Sequence, residues 1–272
     1  MAGSAALSER AEAVTTARIA VLLRDLARGG MAGAIAGVLI AGIGGRVVMR
    51  LAALAVPSST GQFTENGNRI GDITLGGSLG IVIIVGLLFG AIGAILWVVT
   101  SPWIPGRGLR RGVLTMPVAV GLGALILIRG DNRDFRILGH SALVVAILVG
   151  LVASLGLVIS LIDDWLDRRL PAAGTESGRV AGGYVLLVTA GLVMTPLVVA
   201  GYFSGDFTST PLGLAMVATG LATAAWWVLR FRGVARPPTG LVILGRTALI
   251  AAVVLGTVLL LPEVSAALDL PG

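Results

Sequence analysis

Two arginines stand one helical turn apart inside an apolar run in the stretch "GIGGRVVMRLAAL", Gly42 to Leu54. Arg46 and Arg50 are four residues apart and so share one face of a helix. A guanidinium is permanently charged and planar, and its fork of donors matches phosphate or carboxylate oxygens. A bare charge near mid-membrane costs at least about 2.5–3.5 kcal/mol, so the pair is expected to be compensated. Three compensations compete: ion pairs with acids of the adjoining loops, snorkelling to the interface, or a bound anion such as a lipid phosphate or acidic solute. The acids nearest in sequence are Glu65 and Asp72 in "PSSTGQFTENGNRIGDITLGG", then Asp131 and Asp134 in "RGDNRDFRILGH" and Asp206 in "SGDFTST". Arg46, Arg50, Glu65, Asp72, Asp131 and Asp134 therefore form the candidate cluster, read as an anion or headgroup site or as a salt-bridge network.

Other chemistry is thinly represented. "GGSLG", Gly76 to Gly80, fits G-x-S-x-G, with Ser78 as nucleophile and His140 as base. The pattern works in a strand-to-helix turn, however, and here it opens an apolar helix. "DDWLDRR", Asp163 to Arg169, reads as a solvated helix end with i,i+4 pairing, Asp164 to Arg168 for example. The chain has no cysteine, no lysine and one histidine, which excludes thiolate metal sites, disulfides, Schiff-base chemistry and histidine-rich metal sites. No phosphate-binding loop, dinucleotide fingerprint or metalloprotease motif occurs. No cofactor and no metal are expected, and the reading favours a protein that is not an enzyme.

The elements that would position the arginine pair are legible from composition. The 272 residues are 56% hydrophobic and 12% charged, with 40 glycines, and the mean hydropathy is +0.97. That is too little polar surface for a soluble domain but suits an all-α bundle in lipid. Seven runs are long enough to cross about 30 Å of hydrocarbon: Met31–Val56, Leu75–Val99, Gly112–Ile128, Ile137–Ile162, Val180–Phe203, Pro211–Leu229 and Leu241–Leu261. Residues 1–30 read as an amphipathic segment on the cytoplasmic side or lying in the interface, residues 31–261 as the bundle, and 262–272 as a short external tail. A secretory signal is the rival reading of the N-terminal region, but no convincing cleavage site follows it.

The net charge of +6 rests on 20 arginines. Arg10, Arg18, Arg24, Arg28, Arg107, Arg110, Arg111, Arg168, Arg169, Arg179, Arg230, Arg232 and Arg236 fall at one side of the alternating spans, against Arg69, Arg129, Arg133 and Arg136 at the other. The positive-inside rule then predicts a cytoplasmic N-terminus and an external C-terminus. Trp97, Trp103, Trp165, Trp226 and Trp227 fall near the same ends, where interfacial rings are expected, and Arg246 is close enough to snorkel there. Helices in lipid associate through close backbone approach. Gly33, Gly37, Ala41 and Gly45 in span one, with Gly86, Gly90 and Ala94 in span two, predict a seam between those spans.

The stretches "GGRVVMR", "TENGNRIGDITLGGSLG" and "DNRDFRILGH" resemble parts of an uncharacterised actinobacterial family of polytopic membrane proteins. The likeness covers roughly the first 160 residues. It implies a multi-pass protein of the bacterial cytoplasmic (inner) membrane and contributes no chemistry. The expected role is a structural or accessory membrane component whose external Arg/Asp cluster engages anionic lipid headgroups or a partner. The alternative is a permease for a small anionic solute. Expected partners are membrane lipids, with a membrane-protein partner or a second copy of the chain as further options, and no nucleic acid.

Overall fold

A computed structural model describes residues 2–55, 61–62, 79–130, 141–175, 177–203 and 209–269. Every regular element among them is helical. Seven of the helices are long and apolar enough to cross a membrane, with spans of 20 to 37 residues. At 1.5 Å per residue even the shortest reaches about 30 Å.

Span one belongs to a single rod. An α-helix runs from Ala2 to Ala36, passes into a π-helical stretch at Gly37–Gly44, and resumes as α-helix at Gly45–Ala55. The N-terminal segment and the first span are thus one continuous helix. Span two opens with a short π-helical turn at Ile81–Val85 and continues as Gly86–Thr100. Span three is Gly108–Gly123, followed by a 3₁₀ turn at Ala124–Ile126. Spans four to seven are Ser141–Arg169, Gly178–Gly201, Thr210–Phe231 and Thr239–Leu268. Spans three and four lie against each other over most of their length, and span one packs on spans two and four. Span seven bridges spans six and three, while span five rests mainly on spans one and two.

The seam between spans one and two exists, in an altered register. A Cβ added at Gly33 would come within 2.6 Å of the Gly90 carbonyl oxygen, and one at Gly37 within 2.2 Å of the Gly86 carbonyl oxygen. The next close approach is made by Gly42, where a Cβ would come within 2.7 Å of the Val82 carbonyl oxygen. Gly45 has nothing within 4 Å. The cause is the π-helical stretch: its i→i+5 bonding adds a residue to the turn and advances the contact face by one position. The ridge therefore reads 33, 37, 42.

Two of the five tryptophans are core residues and not interfacial anchors. Trp97 is 3% exposed and Trp103 is 2% exposed. The Trp103 indole Nε1 donates to Thr223 Oγ1 at 2.8 Å, and its ring lies so close to Gly245 that a Cβ there would come within 2.3 Å. Arg246, which is exposed, donates from Nε to the Trp103 carbonyl at 3.3 Å. Trp103 thereby pins the end of span two to spans six and seven. At the far end of span five, the buried Tyr202 hydroxyl donates to the Leu122 carbonyl of span three at 2.6 Å.

Candidate functional sites at the two ends of the bundle

Four of the arginines that the sequence pattern assigned to a common side meet at one end of the bundle. Arg24, Asp25 and Arg28 of span one meet Arg111 at the start of span three, Asp163, Asp164 and Asp167 at the end of span four, and Arg230 at the end of span six. Four guanidinium groups thus face four carboxylates, and the set is neutral.

Asp163 is its centre, with a side chain only 3% exposed. Arg28 Nε donates to its Oδ1 at 2.9 Å, and Arg111 NH1 to its Oδ2 at 3.4 Å. Arg28 also pairs with Asp167, and Arg24 NH1 donates to the same Asp167 Oδ1 at 3.0 Å. Arg24 reaches on to the carbonyls of Asp167 at 2.9 Å and Pro171 at 2.8 Å, closing the loop after span four onto span one. Arg230 pairs with Asp25. Arg111 is further held by the Ser101 carbonyl at 2.7 Å, and its guanidinium carbon stacks 4.5 Å from the centre of the Trp97 ring. Charges this far from water persist only when paired and hydrogen-bonded, which this arrangement provides.

The "DDWLDRR" segment is a solvated terminus only in part: Trp165, Asp167, Arg168 and Arg169 are exposed, whereas Asp163 and Leu166 turn inward. Asp163 is buried. Asp164 accepts the backbone N–H of Gly108 and pairs with Arg111 at 3.6 Å, so a residue of span four serves the start of span three as an N-cap does. Arg168 is exposed. The signal that would have found this network was present: Arg24/Arg28 and Asp163/Asp167 are matched i,i+4 pairs at the same end of adjacent spans.

The candidate cluster at the other end is described in part. Arg46 lies eighteen residues beyond Arg28 on the same rod, on the order of 27 Å along its axis. The two arginine sites therefore sit at opposite ends of the bundle. The Arg46 Nε is buried and has no hydrogen-bond partner among the described residues. Arg50, one turn on, is exposed. Glu65, Asp72, Asp131 and Asp134 lie outside the described residues, as do Ser78 and His140 of the hydrolase reading. Among the described residues no group of three or more His, Cys, Asp or Glu side chains is spaced to hold a metal ion.

The threonines that could have lined a polar path are largely spent inside the bundle. Thr219 donates to the Ala215 carbonyl at 2.9 Å. Thr223 donates to the Val99 carbonyl at 2.6 Å while accepting from Trp103. Thr100 and Thr115 each donate to the carbonyl four residues back, at 2.7 and 2.8 Å.

No protein-family model matches the chain, and no curated protein sequence or solved structure matches it either.

Proposed function

We propose that the protein is a non-catalytic, multi-pass component of a bacterial cytoplasmic membrane that engages anionic lipid headgroups through Arg46 and Arg50. In this reading the N-terminus and the neutral Arg/Asp network face the cytoplasm, and the C-terminus and the Arg46 end face outward. One observation supports the reading: the Arg46 Nε is buried and has no hydrogen-bond partner among the described residues. An uncompensated guanidinium in lipid is costly, and a lipid phosphate is the anion that a membrane supplies at that depth. Arg28 and Arg111, by contrast, each meet carboxylates of a neighbouring span, although the Arg111 Nε, like that of Arg46, has no hydrogen-bond partner among the described residues.

The test is native mass spectrometry of the protein released from its membrane. The wild type is expected to carry an anionic phospholipid that an Arg46→Ala/Arg50→Ala variant, folded to the same thermal stability, lacks. Identical bound lipid in both forms would refute the reading.

A permease for a small anionic solute is the second reading, favoured by the π-helical stretches of spans one and two, which pack on each other. Such irregular turns often mark functional positions. The spent threonines of spans two, three and six weigh against a polar route. Uptake of a labelled anion into proteoliposomes separates the two.

A further inference from the structure

The ion-pair network at the arginine-rich end takes up the carboxylates it gathers, and three arginines beside it are left over. Asp164 stands four residues before Arg168 on span four, the spacing of a helical ion pair. It accepts the Gly108 backbone N–H and pairs with Arg111 instead. Asp163 is held by Arg28 and Arg111, Asp167 by Arg24 and Arg28, and Asp25 by Arg230. Arg107, Arg110 and Arg168 stand outside these pairs, and all three are exposed.

The fold brings the three to the head of one crevice, between spans three and four. Gly106 and Gly108, in the left-handed region at φ of +101° and +58°, frame Arg107 in the tight turn that joins spans two and three. That turn folds back on the start of span three, since a Cβ at Gly106 would lie 3.6 Å from the Arg110 Cδ. Arg168 belongs to the face of span four that meets span three. On that face Leu157 Cδ1 and Leu161 Cγ lie 2.6 and 3.7 Å from where a Cβ of Gly112 would stand, and Asp164 caps Gly108. Arg168 follows one turn beyond Asp164, about 6 Å along the axis. It therefore stands beside the turn that carries Arg107.

Below the arginines the surface is apolar. Arg110 heads a stripe of span three formed by Val113, Leu114 and Pro117, all exposed and at helical spacing. Trp165, three residues before Arg168, is exposed and carries the Arg169 guanidinium 5.7 Å from its ring centre. Indole rings at the ends of spans settle at headgroup level. Positive charge at that depth, above an apolar stripe, complements both parts of an anionic amphiphile. A free anion would use only the first.

We propose that Arg107, Arg110 and Arg168 form a headgroup site for one anionic phospholipid, with a hydrocarbon chain lying along Val113, Leu114 and Pro117. The guanidinium fork matches phosphate oxygens through paired charge-assisted hydrogen bonds. The site lies at the opposite end of the bundle from Arg46 and stands independently of the reading given to that residue. Each arginine near an anionic surface is worth about fivefold in affinity.

Protein stripped of lipid in detergent is titrated with phosphatidylglycerol, and bound lipids are counted by native mass spectrometry. Arg107→Gln/Arg110→Gln/Arg168→Gln is expected to lose one tightly held phosphatidylglycerol, and Arg168→Gln alone to weaken it about fivefold. Arg179→Gln/Arg232→Gln/Arg236→Gln removes the same charge from exposed arginines at the same end and should retain that lipid. Phosphatidylcholine should bind wild type and both variants alike, and excess inorganic phosphate should leave the phosphatidylglycerol in place. Should the first triple variant not reach wild-type thermal stability, Arg168→Gln alone decides.

Equal loss from the two charge-matched variants would reveal diffuse attraction and overturn the site. Displacement by inorganic phosphate identifies a free-anion site and overturns it as well. Lipid lost from Arg46→Ala/Arg50→Ala but unchanged in the Arg107/Arg110/Arg168 and Arg168 variants overturns this proposal and leaves the Arg46 reading standing. The reverse pattern refutes the Arg46 reading and supports the site described here.

Discussion

Replacing Asp163 by alanine would test the physical reasoning about the arginine-rich end most severely. The change leaves Arg28 and Arg111, whose side chains are 20% and 14% exposed, without the carboxylate between them. Removing one partner of a buried ion pair costs about 3–5 kcal/mol, because the remaining charge stays desolvated. Arg28 keeps Asp167 and Asp25, and Arg111 keeps Asp164 and the Ser101 carbonyl. The lower end of the range therefore applies, about 3 kcal/mol or roughly a hundredfold in the folding equilibrium. Asp167 provides the control, since its side chain is 51% exposed although it touches two arginines. Solvent screening limits Asp167→Ala to about 1 kcal/mol or less. Unfolding in mixed micelles of increasing denaturing-detergent content, followed by tryptophan emission, measures both. The Arg28→Ala/Asp163→Ala double variant should lose less than the sum of the single changes, with a coupling on the order of 0.5–3 kcal/mol. If Asp163→Ala shifts stability by less than Asp167→Ala does, burial is not what makes this pair matter, and the account of the network fails.

Further outcomes follow from the packing. Gly37→Ala should lower the unfolding temperature sharply, since its Cβ would come within 2.2 Å of the Gly86 carbonyl oxygen, whereas Gly30→Ala, with nothing within 4 Å, should be neutral or slightly stabilising. Gly256→Ala should prevent normal accumulation in the membrane, because its Cβ would fall 1.7 Å from the Gly121 carbonyl oxygen; Gly240→Ala, in open space on the same helix, is the control. Trp103→Phe should cost about 1–3 kcal/mol in the same micelle titration, as Thr223 loses its buried indole donor.

Much of this architecture was readable in advance, and the reasons are specific. Seven apolar runs announce themselves because lipid tolerates so few charges, and the alternation of Arg24, Arg111 and Arg230 already gathers them at one end. What the sequence concealed was the local irregularity and the pairing. A four-residue glycine spacing presumes an α-helix throughout, so Ala41 and Gly45 were expected on a seam that the π-helical stretch hands to Gly42. Asp163 was read as solvated because acids at a helix end usually are; only the positions of Arg28 and Arg111 on two other spans bury it. Trp97 and Trp103 follow the same pattern, with interfacial positions by residue type but partners inside the bundle. Of the candidate anion cluster, the sequence supplied Arg46 and Arg50, while Glu65, Asp72, Asp131 and Asp134 lie outside the described residues.

The account depends most on the two arginine sites facing opposite sides of a bilayer. The chain contains no cysteine, so single cysteines at Thr175, exposed after span four, and Thr210, exposed at the start of span six, report sidedness without background. An impermeant maleimide applied to intact cells is expected to label Thr210→Cys and to reach Thr175→Cys only after the membrane is opened. Labelling of Thr175→Cys in intact cells, with Thr210→Cys protected, would invert the orientation and remove the outward-facing Arg46 site on which the proposed function is built.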